Sequence, residues 1–98
     1  MKEKTETRVF RTASAGNAEK SDVLATVSPN PEGGLAIRLR STVKAFYEDA
    51  ILAAVKETAE AMNVADGRIE LDDHGALDYV IRARVETALL RAAKEDDK

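Results

Sequence analysis

Asp72-Asp73-His74-Gly75-Ala76-Leu77-Asp78-Tyr79-Val80-Ile81-Arg82-Ala83-Arg84-Val85 decides the fold of this chain, because it satisfies two periodicities at once. Leu77, Tyr79, Ile81, Ala83 and Val85 alternate with Asp78, Arg82 and Arg84, which is the pattern of a half-buried strand. Leu77, Val80, Ile81, Val85, Ala88 and Leu89 also recur at three and four residues, which is a helical stripe. The His74-Gly75 pair sits where a hairpin reverses, and a lone strand before it has no partner, so a strand over 77–85 is the preferred reading, followed by a short helix over 86–94.

Upstream, Arg68-Ile69-Glu70-Leu71-Asp72 places Ile69 and Leu71 on one side of a strand, and Asn63 to Gly67 supply turn chemistry before it. Before that turn, Val43, Phe46, Tyr47, Ala50, Ile51, Ala54, Val55 and Met62 mark a helix over 43–63, with Ser41 or Thr42 available as its cap. Val23-Leu24-Ala25-Thr26-Val27 has strand composition. Leu35, Ile37 and Leu39 alternate with Ala36, Arg38 and Arg40, and the Pro29-Asn30-Pro31-Glu32-Gly33-Gly34 loop joins the two runs as an antiparallel hairpin. The predicted fold is α+β: a small antiparallel sheet of two hairpins packed on one central helix, with a short C-terminal helix, in the order ββαββα. Phe46, Tyr47 and Tyr79 lie on apolar stripes and are expected in the core. Residues 1–21, with Val9 and Phe10 as their bulky apolar neighbours, read as a mobile leader, 22–94 as the folded domain and 95–98 as a polar tail.

Bulk properties narrow the function classes. A chain of 98 residues holds one modest core. Its net charge of -3 offers no basic field for nucleic acid. With no cysteine, the chain has neither a disulfide framework nor a thiol of its own, so any thiol chemistry must come from an attached group. No run is long and apolar enough to cross a bilayer, and Met1-Lys2-Glu3-Lys4-Thr5-Glu6 is not a signal peptide, so the expected location is the cytoplasm.

Three segments fall in a telling order: Ser21-Asp22-Val23 after Ala15-Gly16; Arg40-Ser41-Thr42-Val43 leading into Phe46-Tyr47-Glu48-Asp49-Ala50-Ile51; and Asp72-Asp73-His74-Gly75-Ala76-Leu77-Asp78 running into Arg82-Ala83-Arg84-Val85-Glu86. In order, spacing and length the chain resembles the acyl carrier (gamma) subunit of citrate lyase over roughly residues 15 to 92. The resemblance implies a non-catalytic carrier with a phosphoribosyl-dephospho-CoA arm joined to a serine by a phosphodiester, its thiol holding acetyl or citryl as a thioester. It implies as partners an alpha (transferase) subunit that exchanges acetyl for citryl, a beta (lyase) subunit that cleaves the citryl thioester, and a prosthetic-group transferase that installs the arm. Tethering holds the acyl group at high effective concentration near both active sites.

Such an arm needs an exposed hydroxyl on accessible backbone, and Ser21 is the candidate attachment residue. The family's serine belongs two residues before Asp22, where this chain has Lys20, so either Ser21 serves one step later or the attachment site is lost. Ser14 is a second candidate. His74 with Asp72 and Asp73 invites a proton-transfer or metal reading, but turn chemistry accounts for the cluster and the ligands lack metal-loop spacing. Arg82 and Arg84, pointing the same way from a strand, face either solvent, an acidic partner surface or the arm's phosphates. Neither the four-helix pattern nor the Asp-Ser-Leu motif of the fatty-acid acyl carriers is present. A small interaction module without a prosthetic group is the alternative function, and a stand-alone enzyme is disfavoured by the scarcity of nucleophile–base pairs.

Overall fold

The computed structural model describes residues 6–42 and 44–94, the side chains of residues 44 and 45 excepted. The leader's first five residues, the Val43 helix position and the 95–98 tail of the sequence reading lie outside the described residues. Six elements follow in the order β1 (Ala13–Gly16), β2 (Val23–Ser28), β3 (Leu35–Ser41), α1 (Lys44–Ala61), β4 (Gly67–Asp73) and α2 (Asp78–Ala92). The fold is α+β, and from residue 23 to residue 73 the elements come as the sequence implies: strand, strand, helix, strand.

The sheet has the strand order β1-β2-β4-β3. β1 and β2 form an antiparallel hairpin, β2 pairs antiparallel with β4, and β3 pairs parallel with β4. The expected β2–β3 hairpin is therefore absent, because β4 lies between its two strands. Burial explains the choice. Ile69 and Leu71 of β4 are almost wholly enclosed, which requires a neighbour on each side, whereas β3 carries Arg38 and Arg40 and suits an edge. The Pro-Gly loop is wide enough for the detour: Gly33 and Gly34 both take positive φ, Asn30 Nδ2 donates to their carbonyls, and Asp66 Oδ1 accepts from the Gly34 N–H. A parallel pair needs a long crossover, and α1 provides it.

One face of the sheet is dry. Val23, Ala25 and Val27 stand opposite Asp73, Leu71 and Ile69, and beyond them Ser41, Leu39 and Ile37 share the face. α2 covers β1 and β2, α1 covers β3, and the helices touch each other. Each fully buried side chain of the Ile69, Leu89, Val23, Val27, Val55 and Val85 set contributes roughly 1.5–3 kcal/mol of burial. The opposite face shows Arg38, Arg40, Arg68, Glu70 and Thr26 to solvent.

Residues 78–85 are helical, with Leu77 the extended residue that caps them, which corrects the preferred strand reading of 77–85. The buried set is Ile81, Val85, Ala88, Leu89 and Ala92, at helical spacing, while Tyr79 and Ala83 of the alternating set are exposed. The hairpin formed by β1 and β2 needs a cover. The Ala-, Leu- and Arg-rich segment is a better helix than strand former, and Asp78 in its first turn and Arg91 in its last complement the helix dipole. The turn at Gly75 therefore starts a helix; it does not reverse a hairpin. The leader reading is corrected for residues 13–16. They are a strand whose Ala15 is buried beneath α2, and upstream Thr7 bridges to Val64 while the Phe10 N–H donates to the Ala92 carbonyl. Small side chains bury little area, but here they let a helix approach closely, and backbone hydrogen bonds hold what apolar bulk does not. Phe46, Tyr47 and Tyr79, expected in the core, are exposed: among the described side chains of α1 the first buried one is Ile51, and Tyr79 is 69% exposed.

Candidate functional site

The β1–β2 loop, Asn17 to Asp22, carries Ser21. At its entrance Gly16 has φ +94, and a Cβ there would meet the Val23 carbonyl oxygen at 2.0 Å, so glycine is what lets the two strands close. Inside the loop the Asp22 N–H donates to the Glu19 carbonyl at 3.0 Å, closing a turn of Glu19, Lys20, Ser21 and Asp22. Ser21 is its third residue and takes φ 66, a conformation that costs a non-glycine residue about 1 kcal/mol. The Ser21 N–H donates to the His74 carbonyl at 2.7 Å, and the His74 N–H donates to the Asp22 carbonyl at 2.9 Å. These two bonds continue the pairing of β2 with β4 one step past the sheet. The Ser21 side chain is exposed, and so is Lys20 beside it at the turn's second position.

Asp22 holds the loop from the other side. Its Oδ1 accepts from the Val23 N–H at 2.7 Å, and both carboxylate oxygens accept from Arg84, Nε to Oδ1 at 3.2 Å and Nη2 to Oδ2 at 3.0 Å. Asn17 Nδ2 lies 3.5 Å from Oδ2. The Arg84 hydrogen bonds, then the Val23 N–H, hold the Asp22 carboxyl below its ordinary value of 3.8. Arg84 comes from α2 across the hairpin, its Cδ within 3.0 Å of the place a Gly16 Cβ would occupy. The ion pair and the glycine are thus one packing solution.

The remaining candidates separate. Arg82 and Arg84 do not point the same way, because a helix turns them apart: Arg82 bonds Asp78 Oδ2 at 2.6 Å and Glu57 Oε1 at 2.9 Å, while Arg84 is committed to Asp22. Ser14 lies in paired β1 opposite Thr26, on the solvent face, and its carbonyl accepts from Arg91. Asp73 is 1% exposed and structural: Oδ2 accepts from the Ser41 hydroxyl at 2.7 Å and Oδ1 from the Ala76 N–H at 3.0 Å, fixing the bend into α2. His74 Nε2 is buried and lies 3.0 Å from Asp72 Oδ1 without making a hydrogen bond to it. Its contribution to the loop is its backbone.

Beside the same bend a groove of about 390 Å³ opens between α1 and α2, lined by Tyr47, Ala50, Ile51, Gly75, Ala76, Leu77 and Ile81, with Asp73 and Asp78 at its polar margin. Sequence reasoning missed this groove and the Asp22–Arg84 pair for one reason: both exist only if residues 78–85 are helical. The signal was present in the three-and-four spacing of Ile81, Val85, Ala88 and Leu89.

Comparison with known proteins fits this geometry. The sequence profile of the acyl carrier family described as malonate decarboxylase delta subunit (MdcD) matches residues 10–92. The citrate lyase acyl carrier protein of Halothermothrix orenii is 45% identical over 86 residues, covering 88% of this chain and 90% of that protein. Its namesake in Vibrio cholerae serotype O1 is 42% identical over 85 residues, 87% of each chain. Among solved structures, a chain of a Pseudomonas malonate decarboxylase hetero-tetramer, crystallised in complex with malonate, superposes with a TM-score of 0.73 over 92% of both chains at 16% identity, a likeness of fold. No helix among the described residues is long and apolar enough to cross a membrane. A βββαβα domain with a pinned, serine-bearing hairpin loop, matched along nearly its whole length, belongs to the citrate lyase acyl carrier protein (gamma subunit) family and is an acyl carrier protein of the citrate lyase and malonate decarboxylase type.

Proposed function

We propose that this chain is the acyl carrier subunit of a citrate lyase, with Ser21 bearing the phosphoribosyl-dephospho-CoA arm and with the alpha (transferase) and beta (lyase) subunits as the partners it serves in turn. When bound, the arm supplies the thiol that holds acetyl or citryl as a thioester. The observation that carries the reading is the presentation of Ser21: an exposed hydroxyl on a turn whose backbone is bonded to His74 on one side and whose next side chain is clamped by Arg84. A site of this kind fits a phosphodiester, for the hydroxyl is free to solvent while its backbone is fixed in direction. The chain's own residues bind and orient; they do not break bonds. Asp73 is taken up by the Ser41 hydroxyl and the Ala76 N–H, and His74 meets the loop through its backbone.

Lys20, at the turn's other exposed position, is the observation behind a second reading in which the chain keeps the fold and partners but carries no arm. The experiment that separates the two is the intact mass of protein co-produced with its prosthetic-group transferase and arm precursor. A single large adduct, absent from Ser21→Ala, supports the first; unmodified protein in the presence of a transferase that modifies a proven carrier overturns it. As a carrier without chemistry of its own, the isolated chain is expected to release no oxaloacetate from citrate.

A further inference from the structure

Ser21 sits at a positive φ that strains a non-glycine residue, and such a conformation persists where its surroundings over-determine it. The two backbone bonds with His74 fix one side of the loop. The other side depends on Asp22, whose carboxylate accepts from the neighbouring Val23 N–H and from Arg84, 62 residues further along the chain. A two-point pair of this kind, Nε to Oδ1 and Nη2 to Oδ2, fixes a direction as well as a distance. Arg84 is itself placed by the core. Val85 beside it and Ala88 one turn on are fully buried where α2 covers the β1–β2 hairpin, and glycine at position 16 leaves room for its Cδ and Nε. Arg82, two residues earlier on the same helix, spends its guanidinium on Asp78 and Glu57 instead.

We infer that Arg84 is a positioning residue for the loading of Ser21: acting through Asp22, it holds the serine in the direction from which its hydroxyl meets the arm precursor on the transferase. In the loading step Ser21 Oγ forms a bond to the phosphorus of a precursor whose phosphate is part of a phosphoric anhydride. The anhydride P–O bond breaks, the phosphate beyond it leaves with the bonding pair, and the hydroxyl proton passes to a base of the transferase. This chain supplies the nucleophile and its direction, and a displacement of about 1 Å costs a reacting group up to about a hundredfold in rate. Arg84 bonds Asp22 and not Ser21, so its removal acts on the orientation of the hydroxyl and leaves the encounter of carrier and transferase as it was. The inference rests on the reading of Ser21 as the attachment residue.

The test is the rate of arm transfer to the full chain by its transferase, followed by intact mass over a range of carrier concentrations and well below the melting point of each variant. Arg84→Gln is expected to lower kcat by about fivefold or more while KM for the carrier stays within about twofold of wild type. Arg82→Gln, which removes an ion pair from the same helix, is expected to match wild type in both. Asp22→Asn keeps an acceptor for the Val23 N–H but loses the charge and second oxygen that Arg84 grips; it is expected to lower kcat as well. The double variant is expected to lose less than the product of the two single losses, as residues that act as a unit do. Should Arg84→Gln not fold, the nearly isosteric Asp22→Asn carries the same split between kcat and KM. A smaller fall in kcat, a fall that Arg82→Gln shares, or an unaffected Asp22→Asn overturns the positioning role. A rise in KM alone overturns it in favour of a docking contact, and losses that multiply in the double variant overturn it in favour of Arg84 acting on the arm or the transferase directly. All of these leave Ser21 as the attachment residue. Wild-type protein left unmodified by a transferase that loads a proven carrier overturns the inference together with the reading on which it rests.

Discussion

Replacing Gly16 by alanine tests the packing that holds the serine loop in place. The residue sits at φ +94, where an L side chain is strained by about 1 kcal/mol, and the added Cβ falls 2.0 Å from the Val23 carbonyl oxygen, a backbone atom that moves only if β1 and β2 separate. Overpacking against a fixed neighbour adds about 2 kcal/mol, giving a total near 3 kcal/mol. Gly75 is the matched control: its φ is +93, but nothing lies within 4 Å of the place its Cβ would take, so Gly75→Ala carries the backbone strain of about 1 kcal/mol alone. For a domain of this size the two losses translate into melting points lowered by roughly 12–24 °C and roughly 4–8 °C. Thermal unfolding followed by far-UV circular dichroism reads both. The reasoning is refuted if the two variants melt together, or if Gly16→Ala melts within 2–3 °C of wild type, about half a kcal/mol. Because Arg84 Cδ lies 3.0 Å from the same point, Gly16→Ala must also disturb the Arg84 clamp on Asp22.

Asp22 gives a pH signature. Its folded carboxyl titrates below the ordinary 3.8, so its pairing stabilises the fold above that value and the contribution is lost as the pH falls through the lower folded value; the melting-point gap between wild type and Asp22→Asn is expected to be constant at neutral pH and to close below 3.8. Ile81→Ala removes a side chain that is 2% exposed and is expected to cost about 2–5 kcal/mol in urea unfolding, while Tyr79→Ala, at a position 69% exposed, is expected to cost less than about 0.5 kcal/mol; equal losses would restore a strand in which both share one face. Asp73→Ala leaves the Ala76 N–H without its acceptor inside the bend and is expected to cost about 2 kcal/mol, with Asp73→Asn recovering part of it in the same assay.

The central part of the fold was legible because its residues have one use each. Ile69 and Leu71 alternate with Arg68 and Glu70, and the adjacent pairs Ala50-Ile51 and Ala54-Val55, recurring at three and four residues, fit a helix and break strand alternation. Two regions were not legible, for opposite reasons. Residues 77–85 fit both periods, and what decides between them is non-local: the β1–β2 hairpin needs a cover that only a helix placed there supplies. Residues 13–16 show too little bulk to announce a strand, since Ala15 is buried because it is small enough to lie under α2 and Ser14 faces solvent. Strand order was hidden as well, because the Pro29–Gly34 loop gives no sign that a later strand fills the gap it leaves. Ser21 was readable as a candidate from order and spacing, but two features that define its setting, the His74 bonds and the Arg84 clamp, come from segments 50 or more residues downstream.

The most direct measurement is a tryptic digest of the co-produced, modified protein read by tandem mass spectrometry. Cleavage after Arg11, Lys20 and Arg38 puts Ser14 on the peptide of residues 12–20 and Ser21 at the head of the peptide of residues 21–38. The carrier account predicts the whole adduct on the second peptide, with fragment ions assigning it to Ser21; an adduct on the first peptide, or on neither, contradicts it.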